Sequence, residues 1–220
     1  PKGQPLMLSL AGQPFIDTRL SFHSYLPANL PSTISEKLVN TWIQNLYEKP
    51  ELHDKVEFDI AITNYSFDIE DKLQDLVGDS LNIEEKICFR EQLFNQTYEL
   101  IKGNTDGSIT KALEKINKLS LSYIPQSEDG ISSLFALIED CINLGTIPFS
   151  ILARHAFIAK TLLNSLEIKG ALDNSRINDF NSCIKTVASE LVDDMNKLQL
   201  GELDMKSFIN LYGHLRPGTY

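Results

Sequence analysis

Apolar positions along this chain follow two periods. Near the N-terminus, Leu6-Met7-Leu8-Ser9-Leu10 is a short apolar run closed by Gly12 and Pro14. Residues 15–25 then alternate imperfectly, with Phe15, Asp17, Arg19 and Ser21 on one face. Residues 55–63 alternate strictly, Val56, Phe58, Ile60 and Ile62 against Glu57, Asp59 and Ala61. A period of two with β-branched residues predicts half-buried strands, and so a sheet of two or three strands. Between these segments Ile34, Leu38, Trp42 and Leu46 recur at every fourth position, one stripe of a helix. Thr33 and Glu36 stand at capping-box spacing at its start, and Pro50 ends it.

From Asp68 onward the period is helical. Ile69, Leu73 and Leu76 predict a short helix stopped by Gly78. Asn82 and Glu85 form a second capping-box pattern before a longer helix, with Ile83, Ile87, Phe94, Tyr98 and Ile101 inward and Gly103 as its stop. Ile109, Leu113, Ile116 and Leu119 predict the next, closed off by Pro125. Further helices are expected over 129–144, stopping at Gly145, over 147–168 with Pro148 in the first turn, and from Asp173 or Ser175 to Leu200. A short turn of helix around Met205–Leu211 follows. The expected fold class is mainly α, a multi-helix domain with a small N-terminal β element of two or three strands. It is read as one domain over 1–220, mixed strand and helix over 1–65 and helical over 66–220.

Composition narrows the class. Hydrophobic residues make up 42% and charged residues 23%, with 11 Gly and 9 Pro, which excludes a collagen, a wholly disordered chain and a disulfide miniprotein. Lys and Arg number 20 against 30 Asp and Glu, a net charge of -10. Such a surface repels phosphate backbones and anionic headgroups, so neither a nucleic acid nor a membrane is expected as partner. The three cysteines, Cys88, Cys141 and Cys183, each lie beside an isoleucine in an apolar-periodic segment and read as small buried hydrophobes. No CxxC or HExxH spacing argues for a metal, and the odd, scattered thiols suit a reducing cytoplasm. Charge is expected to interrupt the apolar stretches before the ~18 residues a membrane span needs. The chain starts at Pro1 and stops at Tyr220 after an Arg-Pro-Gly-Thr loop, and is expected to be cut from something longer.

Three constellations carry candidate chemistry. Asp17, Arg19 and Ser21, with His23 continuing the alternation, would project from one strand face, where an Arg beside an Asp offers a donor fork for a carboxylate, phosphate or amide. Spacing alone favours the plainer reading, a solvent-facing Asp–Arg pair. Tyr212-Gly-His-Leu-Arg-Pro-Gly-Thr-Tyr220 places His214, Arg216 and Thr219 on a glycine-rich loop, a proton carrier, a cation and a hydroxyl together. A surface turn explains that loop equally well. The segment 145–159 would offer the unpaired amides of a helix start as an anion cradle, and its Arg154 needs a partner if buried. For this helix, and for His155 on it, packing is the favoured reading. Acidic pairs such as Glu84-Glu85 read as caps and solvated faces, and no Walker or Rossmann glycine loop occurs.

Residues 10–27 (LAGQPFIDTRLSFHSYLP), 50–58 (PELHDKVEF) and 212–220 (YGHLRPGTY), with Gly145-Thr-Ile-Pro-Phe149 and Leu152-Ala-Arg154, resemble the middle region of phosphoenolpyruvate-synthase-like, dikinase-type proteins of bacterial capsule and surface-polysaccharide gene clusters. One branch of that family is the L-glutamine kinase. The resemblance spans the chain and implies a helical acceptor-binding domain in a cytoplasmic three-part enzyme. An ATP-grasp domain would bind ATP and Mg2+, a swivelling domain would carry a phosphohistidine, and ATP plus acceptor would give phosphorylated acceptor, AMP and phosphate. No cofactor is expected in this domain, which alone would be inactive. Glutamine is the best-guess acceptor. The resemblance assigns Arg19 and Arg216 to a carboxylate or phosphate, and Asp17 and Glu57 to an amine or amide. It places Arg154 and His214 near the transfer point, with His214 and Arg216 as the catalytic residues and Ser21 and Thr219 among those that bind substrate. The alternative is a non-catalytic helical docking module that orients the other domains. A hydrolase is weakest, since the sequence carries no nucleophile–base pattern.

Overall fold

The computed structural model describes residues 5–102, 107–121 and 130–215, without the side chains of 120–121 and 130–133. Of the described residues 74% are helical, with ten α-helices and one two-stranded sheet among them, a mainly α fold with a small N-terminal β element. It divides into two compact units, Pro1–Lys169 and Gly170–Tyr220.

The first unit opens with an antiparallel hairpin, β1 (Met7–Leu10) and β2 (Gln13–Ile16), in register Met7 to Ile16. Ala11 and Gly12 turn the chain at φ of 51 and 79. Every residue of both strands is exposed. The alternation expected to continue the sheet does not: Asp17 instead caps a helix, α1 (Thr18–Tyr25), by accepting from the Leu20 amide at 2.9 Å. A cap side chain one residue into the run ends the extended backbone and starts the turn.

The helix α2 (Ser32–Glu48) buries Ile34, Leu38, Val39 and Trp42, the stripe its period predicts. Its expected capping box is absent: the helix starts behind Pro31, and no side chain caps it. Residues 55–63 are also not a strand. Val56–Ile60 is one π-helical turn, closed by the Ala61 amide on the Val56 carbonyl at 2.8 Å. The strict alternation survives only as Ile60, Ala61 and Ile62, all buried side by side, which no half-exposed strand allows.

Next come α3 (Ile69–Leu76) and α4 (Ile83–Ile101). The α4 capping box forms as its spacing predicts, Asn82 and Glu85 each accepting from the other's amide at 2.9 Å. The buried face of α4 differs from the expected one. Phe89, Leu93 and Thr97 face inward, whereas Ile83, Ile87, Phe94, Tyr98 and Ile101 are exposed. The expected set mixes two stripes, and packing selected the other one. Phe22, Trp42 and Phe89 are centred 6.0 and 6.3 Å apart in sequence and form the aromatic heart of the core, with Leu38, Leu73 and Leu93 around it. This core draws on both sides of position 65.

The remaining helices of this unit are α5 (Ser108–Leu121), α6 (Gly130–Asp140) and α7 (Ile147–Ile168), with α5 packed on α7. Gly145 does not stop α6. A π-helical turn, Cys141–Thr146, carries the backbone into α7, so Leu134–Ile168 is one 35-residue helical run. This run corrects two expectations. The α7 amides are not an open anion cradle, since Ile147 N–H already donates to the Ile142 carbonyl. The run is also long and apolar enough to cross a membrane by length and composition, because Arg154 is the single charge between Cys141 and Ala159. The cysteines depart from expectation as well: Cys88 is half-buried, and Cys141 and Cys183 are exposed.

The second unit holds α8 (Asn174–Cys183), α9 (Val187–Leu200) and α10 (Met205–Tyr212). One helix was expected where α8 and α9 lie. Thr186 breaks it, capping α9 in a reciprocal bond pair with Ser189. Gly201 ends α9 in the left-handed conformation, φ 74, as its position predicts. Asp194 of α9 accepts from Tyr212 of α10 at 2.7 Å and from Lys197 at 2.7 Å.

Candidate functional site

The polar centre of the first unit is built where α1, the 56–60 turn and α7 meet. Tyr25 closes α1, and its hydroxyl donates to Glu57 Oε1 at 3.2 Å. Arg154 comes from the middle of α7. Its guanidinium lies 5.9 Å from the Tyr25 ring centroid and donates through Nη2 to the Thr63 carbonyl at 2.8 Å. Phe58 and Phe157 pack edge to face at 5.3 Å beside this group and tie the turn to α7. The π-helical turn has a direct role here: it lifts Glu57 to the Tyr25 hydroxyl while Ile60 enters the core.

Burial decides the electrostatics. It pushes the Arg154 guanidinium down from its ordinary value, against the opposing pull of Tyr25 and Glu57. It pushes the Tyr25 phenol up, with Ser21, one turn earlier on α1, pulling the other way. No carboxylate lies within ion-pairing distance of Arg154 among the described residues. The cation is half-buried and holds one carbonyl and one ring face, with donor capacity left over.

A cavity of about 190 Å3 adjoins this group, sharing Glu57 and Thr63 with it and lined further by Asn64, Asp68, Lys72 and Asn164. Asp68 is buried, and its Oδ1 takes the Ser66 hydroxyl at 2.6 Å and the Lys72 ammonium at 3.2 Å. Lys72 also donates to Ser66 Oγ at 3.0 Å. The cavity thus presents a fixed cation, a fixed carboxylate and amide groups, the donor set for a small polar or zwitterionic molecule. No group of three or more metal-ligating side chains converges among the described residues.

Of the residues singled out in the sequence, Ser21, Glu57 and Arg154 gather around Tyr25. Asp17 is engaged as the α1 cap, and Arg19 is bound to Asn40 Oδ1 at 2.8 Å. Read as a strand, Asp17, Arg19 and Ser21 would share a face; on a helix, residues two apart point in different directions. His214 is exposed beyond the end of α10 in the second unit, and Arg216 and Thr219 lie outside the described residues. Tyr25, Asn64, Asp68 and Lys72 went unmarked in the sequence. Only Tyr25 carried a signal, standing four residues after Ser21, and that spacing means something only once the segment is helical. Comparison of the chain with protein-family models, with curated proteins and with solved structures finds no match.

Proposed function

We propose that this chain is the acceptor-binding domain of a dikinase-type phosphotransferase, acting in the cytoplasm with ATP-grasp and phosphohistidine domains that supply ATP, Mg2+ and the phosphoryl group. The observation that carries the reading is Arg154, a half-buried guanidinium without a carboxylate partner among the described residues, beside a small cavity with charges of both signs. Phosphoryl transfer requires little covalent chemistry from an acceptor domain. It requires positioning and a cation where negative charge builds up. In this reading Arg154 faces the incoming phosphoryl group, and Asp68, Lys72 and Asn164 hold a small acceptor, glutamine being the first to test. Glu57 fixes the Tyr25 hydroxyl, which in turn fixes the ring under the guanidinium. The 35-residue helical run belongs to a folded protein in this proposal, because its central Arg154 and His155 both bond to groups outside α7.

The test is Arg154→Met in the complete enzyme, with AMP formation measured with and without glutamine. Acceptor-dependent AMP formation should fall at least tenfold while phosphohistidine formation from ATP persists. Unchanged acceptor-dependent turnover sinks the assignment. The second reading, a docking module, is supported by the β1–β2 hairpin, which leaves Leu6, Met7, Leu10, Phe15 and Ile16 exposed. It requires hairpin substitutions to lower phosphohistidine formation itself, equally with and without acceptor.

A further inference from the structure

Across the packed pair α5 and α7 lies an arrangement of another kind. Ser108 Oγ is 3.1 Å from His155 Nε2, a residue 47 positions away in the chain. The other ring nitrogen, Nδ1, is 2.8 Å from the carbonyl oxygen of Ile151. A carbonyl only accepts, so Nδ1 carries the proton. Nε2 of the neutral ring is therefore the acceptor, and the Ser108 hydroxyl must donate to it. Hydroxyl, imidazole and a fixed oxygen stand in the order of a serine nucleophile, its base and the group that orients the base.

Two surroundings suit that chemistry. Ser108 opens α5, whose first helical bond runs from Lys111 N–H to the Gly107 carbonyl at 3.1 Å. The amides of Ser108, Ile109 and Thr110 therefore have no intrahelical acceptor, and they flank the Ser108 side chain. Amides so placed can stabilise an oxyanion. A cleft of about 630 Å3 opens on the pair, with Ser108 and His155 in its lining and Leu100, Ile109, Ile158 and Leu162 among its walls. Its size and largely apolar walls suit a small organic acyl group, with Glu99 and Lys102 paired with each other elsewhere in the lining.

We propose that Ser108 and His155 form a serine acyl-transfer site for carboxylic esters with an apolar acyl chain, independent of the Arg154 site. Ser108 Oγ attacks the ester carbonyl carbon while its proton passes to His155 Nε2. The carbonyl π electrons move onto oxygen beside the α5 amides. As that oxyanion collapses, the ester C–O bond breaks, and the alkoxide takes the proton from Nε2 and leaves as alcohol. Water, deprotonated by the same Nε2, then cleaves the acyl-serine to release the acid and restore the hydroxyl. The orienting oxygen is a neutral carbonyl, which fixes the tautomer but lends the imidazolium no charge, so the turnover is slower than with a carboxylate in that place.

The test uses the complete protein with a fluorophosphonate probe, peptide mass spectrometry of the adduct, and p-nitrophenyl butyrate hydrolysis in parallel. The expected result is an adduct on Ser108, with ester turnover lowered about 100-fold or more in S108A and in H155Q, the loss typical of a removed general base. Gln keeps a hydrogen-bonding side chain at 155 but no base of that strength. A Ser108 left unmodified overturns the proposal, as does H155Q labelled and turning over like the parent. Should S108A lower the melting temperature, labelling rates of folded H155Q against the parent decide the matter alone.

Discussion

Replacing Arg154 with Met tests the fold and the site at once. Met retains an unbranched, flexible stem of similar reach, so packing along α7 is largely kept and the guanidinium is what is lost. The change breaks a 2.8 Å bond to the Thr63 carbonyl, a contact joining residues 91 positions apart. A bond from a charged donor contributes about 1.5–3 kcal/mol. Loss of the cation over the Tyr25 ring removes roughly 0.5–1 kcal/mol more. Relief of the guanidinium's desolvation, which already depresses its basicity, returns part of this. Thr63 is only 5% exposed, so water does little to replace the donor. The net cost is about 2–3 kcal/mol. For a folded unit of this size that corresponds to a fall in Tm of roughly 4–12 °C, measurable by calorimetry or circular dichroism. Arg154→Lys should recover part of the loss, since it restores the charge and one donor but not the planar face on the tyrosine. A Met variant melting within about 1 °C of the parent would refute the reasoning, because it would place Arg154 in solvent with its carbonyl partner.

Three further outcomes follow from the packing and the caps. Leu38→Ala, at a position with 0% exposure between α2 and the aromatic core, should cost about 2–5 kcal/mol in urea unfolding, and a loss under about 1 kcal/mol would misplace the core. Asn82→Ala should destabilise by about 1 kcal/mol while Thr33→Ala changes little, because the Asn82–Glu85 box forms and the Thr33–Glu36 one does not; equal effects would contradict the observed caps. In the second unit, Lys197 and then Tyr212 hold the Asp194 carboxyl below the usual range, while Asp194 pushes the Tyr212 phenol up to about 12. The carboxylate's contribution is therefore present above about pH 4 and lost as pH falls through its depressed value. The phenol's contribution is present below about pH 10 and lost as pH rises toward 12. Absorbance at 295 nm should show Tyr212 and the buried Tyr25 both titrating late, with Tyr212→Phe removing one tyrosine's worth of that late amplitude; an unchanged late amplitude would rule the pair out.

The helices were legible wherever a local signal was unopposed. Asn82 with Glu85, and Gly201 after Leu200, act through their own neighbours along the chain, and each stands where its spacing places it. Signals that name only a period did less well. Alternation at 15–25 and 55–63 is compatible with a strand, yet among the described residues only β1 and β2 pair, and only with each other. The backbone bonds of those segments were instead satisfied locally, by a helix capped at Asp17 and by a π-helical turn. Likewise α4 carries two apolar stripes, and the choice of Phe89, Leu93 and Thr97 depended on what α2 and α3 presented to it.

The candidate sites divide along the same line. Arg154 could be marked from sequence because a lone cation in an apolar helix demands a partner wherever the helix goes. Which partner it takes could not. Tyr25, Glu57 and Thr63 reach it only after α1 and the 56–60 turn have packed on α7. Ser108 and His155 are each ordinary residues until α5 lies against α7 and a carbonyl fixes the imidazole's proton. Mainly α architecture, caps, stops and the odd charge on an apolar face are properties of neighbours within a turn or two, so the sequence by itself determined them. Faces, partners and proton positions are properties of groups many tens of residues apart, and only the tertiary structure, by closing those loops against their entropy, decided them.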